Sequence, residues 1–358
     1  MYVTDFKKIE HYREQWNKLA NGNPLLEYEW FNYCALHFHA NEHIRIFIIE
    51  KDNQLYAAAP LVLVRNGIHS SYKIIGTTEL YEPAGLLYKD NDTLALLLKS
   101  IVSSGYSAYF QRINSQSSLA NYAKELVKNK ALVFQRQTSG SCYIQPQGSS
   151  WQDFEAKIGK KWRADFRNKL NRAKKSGQVS IDIFTPDIEK TQDEITECIR
   201  IESQSWKQQQ GSSLSQQEKQ QAFFRQYLAI AAQNKTLKIC YFRIDDKAIA
   251  MHFGIENQQG LWFFKMGYDD TYRRYSPGMQ LAHETIKYAF EQKLNTYEFL
   301  GAEETWQHAW PVSVHSYQSI IILPYTFSGI IGLLHMGSNI IASRLKRVIG
   351  SLFRTKNK

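Results

Sequence analysis

Residues 261–280 read LWFFKMGYDDTYRRYSPGMQ, an apolar run followed by a charged loop and a Pro-Gly pair. The apolar run Leu261–Tyr268 predicts a buried strand, and the Pro-Gly pair that follows predicts a helix over Pro277–Gln292. The first amides of such a helix have no partner within it, and the helix dipole favours an anion beside them. With Arg273 and Arg274 as counter-charges, the stretch predicts a pyrophosphate site. The alternative is that the proline only starts the helix and the arginines are solvated.

The chain around this stretch divides into two halves with a similar order of predicted elements. Each half contains a hairpin, over Lys51-Asp52-Asn53 and Asp245-Asp246-Lys247, followed by a helix and a strand. Residues 145–150 include Pro146 and Gly148 and predict a linker. We therefore predict an α/β chain of the α+β type, with mixed sheets flanked by helices. Its predicted parts are an N-terminal domain (1–148), a C-terminal domain (149–326) and a C-terminal helix (327–358).

Composition excludes several classes of protein. With 43% hydrophobic and 22% charged residues in 358, the chain is neither disordered nor a peptide or repeat array. The cysteines Cys34, Cys142, Cys198 and Cys240 are scattered and form no Cys-x-x-Cys, so we expect reduced core thiols and no metal site. The polar first residues predict no secretion signal. Segment 311–343 has no charged residue, but prolines, glycines and polar residues interrupt it, so we expect no transmembrane helix there. These features favour the cytoplasm.

Positive charge is concentrated in two segments. Residues 157–175 hold nine Lys/Arg against Asp165 alone, within a helix predicted over Trp151–Lys175. Residues 330–358 hold six Lys/Arg and no acid. Each segment also has apolar residues at helical spacing: Ile158, Trp162, Phe166, Leu170 and Ala173 in the first, and Ile330, Leu334, Ile341, Leu345, Val348 and Leu352 in the second. Either basic face is solvated, or it contacts a polyanion, such as tRNA for the first and an anionic membrane surface for the tail. No motif for sequence-specific nucleic-acid binding accompanies them.

Three motifs together resemble a known superfamily. They are Tyr268-Asp269, Ser276-Pro277-Gly278 and EFLGAEETWQHAW at 298–310, with support from Trp162–Leu170, Glu202–Trp206, Pro24–Trp30 and Ala57–Leu61. In this order they resemble the C-terminal signature of the CelD-like branch of the GNAT acyltransferases. That branch is similar to the Fem-type peptidoglycan aminoacyltransferases, which carry two GNAT domains in tandem. The chain departs from the family pattern at Glu298, Trp306 and Gln307, where Asp, Tyr and Lys are usual.

The resemblance implies a set of site residues. The donor would lie along the strand that ends at Tyr268, with its phosphates at the helix start; the implied donor-binding residues are Tyr268, Asp269, Arg273, Arg274, Gly278, Met279 and Gln280. Glu303 and Glu304, with His308, are the candidates to accept the proton of an amine, and the alternative is that both acids only stabilise a helix start. The acceptor would contact Glu202, Trp206, Glu298 and Trp306.

The resemblance also implies the activity. We expect N-acyl transfer from an acyl thioester such as acyl-CoA to an amine on a sugar or cell-envelope precursor, with no bound cofactor. One alternative is transfer from aminoacyl-tRNA, as in the Fem-type enzymes. The other is a non-catalytic scaffold at the membrane, which Gln307 and the imperfect donor loop around Tyr275 favour. The expected location is the cytoplasm, with peripheral attachment to the inner leaflet through the tail as an additional expectation.

Overall fold

The computed structural model describes residues 2–205 and 213–337. The strands are β1 (Tyr2–Val3), β2 (His43–Lys51), β3 (Gln54–Asn66), β4 (His69–Ile74), β5 (Leu87–Tyr88), β6 (Ser107–Asn114), β7 (Ala131–Ile144), β8 (Val179–Phe184), β9 (Leu237–Ile244), β10 (Lys247–Asn257), β11 (Gly260–Tyr268), β12 (Thr296–Glu298) and β13 (Ser313–Pro324). The α-helices are α1 (Arg13–Ala20), α2 (Tyr28–Phe38), α3 (Thr77–Leu80), α4 (Asn91–Ser103), α5 (Ser118–Leu126), α6 (Trp151–Lys157), α7 (Lys160–Lys174), α8 (Thr191–Ser203), α9 (Glu218–Gln233) and α10 (Pro277–Glu291). A further helix, α11, is described over 327–337.

All the described strands belong to one mixed sheet. Its order is β1-β2-β3-β4-β6-β13-β7-β12-β11-β10-β9-β8, with β5 paired to β3. Most neighbours are antiparallel, but β4 with β6 and β11 with β12 are parallel. Each parallel pair is joined through a helix, α4 or α10, as the crossover between parallel strands requires. The predicted α/β class is confirmed, as a large mixed sheet flanked by helices.

The two halves repeat one plan. In each half two helices precede a three-stranded antiparallel meander, and a helix, a strand parallel to the meander and a further strand follow. The meanders are β2–β4 and β9–β11. This shared order is the structural form of the duplication that the sequence suggests.

The last strand joins the halves. β13 lies between β6 and β7 and pairs antiparallel with both, so that Ile320 is opposite Phe110 on one side and Gln135 on the other. The predicted boundary at residue 148 falls between β7 and α6, yet residues 313–324 return to the strands of the first half. The division into two domains stays a prediction, because the halves share one sheet.

Helices cover both faces of the second half of the sheet. On one face α2 and α9 meet around Trp30, whose ring stacks on Phe264 of β11 at 5.2 Å and meets the edge of Phe223. On the other face α6, α7 and α10 enclose a second core cluster that includes Phe154, Phe166 and Ile286. This burial of aromatic rings on both faces fixes the position of β11.

The predicted helix Trp151–Lys175 is two helices. Ile158 has an extended backbone, with φ −65° and ψ 130°, and separates α6 from α7, which begins after Gly159. Phe166 and Ala173 are buried as the apolar spacing predicts, but Trp162 is 40% exposed. The break turns α7 relative to α6, and this places the first turn of α7 at the edge of the second cluster rather than inside it.

Only the first part of the predicted tail helix is described. Within it, Phe327, Ile330 and Leu334 are exposed, at 79%, 58% and 68%. Its other side packs near β4 and β6, where His335 stacks on His69 at 5.1 Å. The tail arginines and the apolar residues from Ile341 onward lie outside the described residues. Among the residues described, no helix is both long enough and apolar enough to cross a bilayer.

β13 lies in the middle of the sheet. A cavity beside its buried part should therefore lower the free energy of unfolding by more than a substitution at its exposed end. We expect Ile320→Ala, at a fully buried position, to lower the free energy of unfolding by about 2–5 kcal/mol. Val314→Ala on the same strand, where the side chain is 42% exposed, should cost less than about 1 kcal/mol. Urea titration followed by circular dichroism measures both. Equal losses would mean that β13 is not a central strand.

Candidate active site

The central feature of the candidate site is the parting of β11 and β12. The two strands pair from Gly260 and Thr296 only as far as Trp262 and Glu298. β11 continues along β10 to Tyr268, with a bulge where Phe253 and Gly254 of β10 face it. The segment 299–303 follows β7 instead, through bonds from the Phe299 and Glu303 N–H groups to β7 carbonyls, at 3.2 and 2.8 Å. A wedge-shaped opening results, and the edge of 263–268 that faces it is free of strand pairing with β12.

The start of α10 lies beside this opening. Ser276 has a left-handed backbone with φ 47°, and Pro277 occupies the first turn. The Gln280 N–H bonds the Ser276 carbonyl, so the amides of Gly278 and Met279 precede the first intrahelical bond. A Cβ at Gly278 would lie 3.2 Å from the Tyr268 ring. Glycine therefore lets the helix start approach the end of β11.

The loop between β11 and α10 is held by Asp269. This carboxylate is 3% exposed and accepts bonds from the Thr271 N–H and hydroxyl at 3.0 and 2.6 Å and from Lys247 at 3.3 Å. Burial alone would raise the pKa of Asp269, but these bonds outweigh burial and leave the pKa below its ordinary value. Asp269 thus stays charged and shapes the loop, and its oxygens are occupied within the protein.

The remaining predicted donor residues differ in what their side chains contact. Arg273 and Arg274 are exposed, with the Arg274 guanidinium 4.7 Å from the Tyr275 ring. The Gln280 side chain is buried and donates to the Phe166 carbonyl of α7 at 2.8 Å. Gln280 therefore ties α10 to α7, whereas the two arginines point to the surface, with Arg273 4.0 Å from the Asp270 carboxylate.

Aromatic and thioether side chains line the same face of the opening. Tyr268, Met279 and Trp306 are partly buried against the second core cluster. Trp306 lies 5.7 Å from Phe299, ring to ring, and its indole N–H donates to Glu304 at 2.7 Å. Trp306, which the resemblance implies as an acceptor contact, thus lies on the same face of the sheet as the start of α10.

Residues from the first half of the chain hold the segment 299–303, which we call the outer arm of the opening. The Gly301 N–H donates to the Glu82 carboxylate at 2.9 Å, and the Gly301 carbonyl accepts from the Arg112 guanidinium at 2.6 Å. Arg112 is 1% exposed, and its guanidinium lies 4.7 and 5.0 Å from the rings of Tyr81 and Tyr317. The backbone is left-handed at Leu300 and Gly301, both with φ 55°. Glu82 and Arg112 therefore stabilise a turn that the local sequence does not favour.

The Glu82 carboxyl lies in surroundings that change its pKa. Burial raises the pKa of its carboxyl above the ordinary range, and the Gly301 N–H and the charges of Lys265 and Arg112 offset only part of that rise. Lys265 belongs to β11, so it acts on Glu82 from the opposite arm of the opening. The sequence analysis missed Glu82 and Arg112 because neither belongs to a motif and both act across about 190–220 residues.

A second cleft lies on the face of the sheet that carries Glu298. Its volume is about 610 Å³, and its lining includes Trp262, Glu298, His315 and Tyr317 together with several Asn and Gln side chains. The Glu298 carboxylate accepts from Thr296 at 2.7 Å and lies 3.1 Å from His315 Nε2. The His315 ring stacks on Tyr143 at 3.8 Å. Glu298 is thus a fixed carboxylate in a polar cleft at the point where β11 and β12 part.

The predicted catalytic residues are brought together only in part. His308 Nε2 lies 2.8 Å from Glu303 Oε1, and both lie over β7 beside the buried thiol of Cys142. Burial, and then the Glu303 carboxylate, raises the pKa of Cys142 to about 11. Glu304 instead caps the short helix Thr305–Ala309 through reciprocal bonds with Gln307. Glu304 therefore adopts the alternative that the sequence left open, a helix-start acid.

Of the remaining predicted acceptor residues, Glu202 is buried against β11. Its carboxylate accepts from the Leu214 N–H at 2.7 Å, and a Cβ on Gly267 would lie 2.9 Å from its side chain. Glu202 therefore fixes the position of Leu214, next to residue 213, where the described chain resumes. Trp206 lies outside the described residues.

Comparisons with known proteins agree with this geometry. Residues 160–308 match a family described as an acetyltransferase (GNAT) domain. The solved structure of FemX has 11% identity and a TM-score of 0.61, with 90% of this chain and 98% of that chain covered. The C-terminal domain of a putative lysylphosphatidylglycerol synthetase from Agrobacterium fabrum has 11% identity and a TM-score of 0.55, with 87% and 92% covered. A conserved protein of unknown function from Bacteroides thetaiotaomicron has 12% identity and a TM-score of 0.56, with 90% and 98% covered. No curated protein matches the sequence.

The chain shares the fold of these solved structures, and its residues 160–308 resemble a GNAT acetyltransferase domain. The predicted resemblance to GNAT and Fem-type acyltransferases is confirmed, and the protein is an acyltransferase. The match covers α7, the opening between β11 and β12, the start of α10 and the Glu303–His308 pair.

Proposed function

We propose that this protein transfers an acyl group from an acyl thioester of the acyl-CoA type to an amine on a sugar or cell-envelope precursor. The observation that carries the proposal is the opening between β11 and β12 beside the start of α10. The free edge of 263–268 can pair with an amide-containing arm, and the amides of Gly278 and Met279 can bind its phosphates. In the reaction the amine nitrogen bonds the acyl carbon, the carbon–sulfur bond breaks, and the thiol leaves with a proton. No bound cofactor is needed.

The envelope acceptor rests on two supports. One solved structure of the same fold is named as a putative lysylphosphatidylglycerol synthetase, whose product by that name is an aminoacylated lipid. The resemblance to the CelD-like branch, together with a polar cleft of about 610 Å³ on the Glu298 face, favours a sugar-containing acceptor. Aminoacyl-tRNA is the alternative donor, and the exposed basic residues of α7, namely Lys160, Lys161, Arg167, Arg172 and Lys174, favour it.

The donor site gives the first test. We expect Arg274→Ala to weaken CoA binding by about 1–3 kcal/mol, or roughly 5- to 150-fold, because a charged hydrogen bond to phosphate is lost. Isothermal titration calorimetry measures the affinity, and Arg65→Ala, an exposed arginine on β3, is the matched control. Unchanged affinity in Arg274→Ala would remove the phosphates from this loop. Retention of tRNA with no CoA binding would instead support the aminoacyl-tRNA donor, and binding of neither would support a scaffold.

We further propose Glu82 as the residue that accepts the proton of the amine. Its carboxylate lies at the outer arm of the opening, across from Lys265, and it bonds the Gly301 N–H. A carboxyl whose pKa is raised is a better proton acceptor near neutral pH than an ordinary one. Gly301 and Arg112 hold this carboxylate in place, so the base is supplied by the first half and the donor site by the second.

Glu82→Gln should lower turnover about 10²–10⁴-fold with the fold retained. In the wild type the charged carboxylate is the active form, so kcat/KM should rise as pH rises through the raised pKa of Glu82; in Glu82→Gln this rise should vanish. Glu125→Gln, an exposed acid on α5, controls for the loss of one charge. Steady-state kinetics across pH gives the result. If Glu303→Gln loses turnover and the pH-dependent rise while Glu82→Gln keeps both, the role belongs to the Glu303–His308 pair.

We also propose that the tail attaches the protein to an anionic membrane surface. Phe327, Ile330 and Leu334 form an exposed apolar stripe at spacings of three and four, and the chain beyond it carries only basic charges. Such helices lie in the headgroup layer, where each Lys or Arg contributes on the order of 1 kcal/mol.

Sedimentation with anionic vesicles at low salt tests this attachment. The full chain should bind, and the triple variant Phe327→Ser, Ile330→Ser, Leu334→Ser should bind at least about tenfold more weakly, because the apolar area available to the membrane is lost. A chain that ends at Ser338 should lose binding through loss of the basic residues. Equal binding by all three proteins, or none by the full chain, would contradict the proposal.

A further inference from the structure

Three side chains of different chemistry meet over β7, on the side of β12 that faces away from β11. They are the thiol of Cys142, the carboxylate of Glu303 and the imidazole of His308, and one potential ligand atom from each lies within 4.8 Å of the others. Cys142 is fully buried, whereas Glu303 and His308 are partly exposed. The group is therefore closed on the protein side and open to solvent on the other.

A thiolate, an imidazole and a carboxylate are the three protein ligands that zinc takes. Sites with three protein ligands usually complete a tetrahedron with water. No sequence motif indicates this set, because the thiol precedes the other two residues by more than 160 positions and joins them only through strand pairing. This explains why the sequence predicts no metal site.

The backbone holds each of the three residues in place. Glu303 is fixed to β7 by the bond from its N–H to the Gly140 carbonyl, at 2.8 Å, two residues from Cys142. His308 lies on the short helix Thr305–Ala309, which Glu304 and Gln307 cap reciprocally. Gly140 leaves room for this approach, since a Cβ there would lie 2.5 Å from a Val314 methyl group and 3.7 Å from Glu303 Oε2. Ligands on such fixed elements are preorganised.

We propose that Cys142, Glu303 and His308 form a binding site for one Zn²⁺ ion, with the fourth coordination position open to solvent. On binding, the Cys142 thiol loses its proton to solvent and its sulfur bonds the metal. The ion fastens the segment 303–308 to β7 and so stabilises the outer arm of the opening. The site uses neither Glu82 nor the start of α10, so metal binding can be tested whether or not acyl transfer is observed.

Cobalt substitution tests the site directly, because Co²⁺ takes zinc positions and a cobalt–thiolate bond adds a charge-transfer band in the near ultraviolet. The full chain, freed of metal with a chelator, is titrated with Co²⁺ and then with Zn²⁺. We expect the band to saturate at one Co²⁺ per chain and to disappear when Zn²⁺ displaces it. Zn²⁺ should also raise the Tm, since an ion that binds only the folded chain stabilises it.

Matched variants decide which residues bind the ion. Cys142→Ser should abolish the band, and His308→Ala, at a half-exposed position that the fold tolerates, should weaken Zn²⁺ binding by more than the roughly 10- to 100-fold cost of losing an outer-shell partner. Cys198→Ser and His43→Ala, a thiol and an imidazole elsewhere, are the controls and should keep both properties. Absence of the band in the wild type, its persistence in Cys142→Ser, or equal loss in the controls would overturn the proposal. Zn²⁺ affinity unchanged in a folded His308→Ala would do the same.

Discussion

The structure depends on how β7 divides its hydrogen bonds. One edge of β7 pairs with β13 along nearly its whole length, and the other edge takes β12 at Tyr143 and Ile144 and then the N–H groups of Phe299 and Glu303. β12 lies between β7 and β11 and pairs with both as far as Glu298. Beyond that point the segment 299–303 stays with β7 while β11 stays with β10, so the two parallel strands part after Trp262 and Glu298. Glu82 accepts a bond from the Gly301 N–H, and Arg112 donates one to the Gly301 carbonyl. These two bonds keep the outer arm apart from β11.

Charged side chains of both signs lie around the opening. Near the start of α10 Arg273 and Arg274 are exposed, with Arg273 4.0 Å from the Asp270 carboxylate, and the buried Asp269 carboxylate is paired with Lys247. Two carboxylates are also held in place around the opening, Glu298 beside His315 and Glu82 at the Gly301 N–H. If donor and acceptor bind as proposed, an anionic donor would meet the exposed arginines and a cationic amine would meet the carboxylates.

The sequence predicts the donor side better than the acceptor side, for a physical reason. A strand followed by a Pro-Gly helix start is local chemistry, so Tyr268, Gly278 and Met279 could be placed from neighbouring residues alone. For Glu304 and Gln280 the sequence predicts the correct elements. It does not show that their side chains bond within the protein, because those bonds depend on packing against Trp306 and Phe166. Arg112 and Cys142 were out of reach, because their roles come from pairing between strands far apart in sequence. The break at Ile158 was also missed, since an apolar spacing of four continues across it.

The insertion of β13 between β6 and β7 also bears on how the chain is made. During synthesis the first half leaves the ribosome well before residues 313–324. Until those residues arrive, the edges of β6 and β7 that pair with β13 in the folded protein have no partner strand. Unpaired edges of this kind attract strands from other chains, and contacts across some 200 residues form slowly. Although the two halves repeat one plan, the first cannot complete its sheet ahead of the second. The shared last strand therefore couples the folding of the two halves, so they cannot fold one after the other as separate domains do during synthesis.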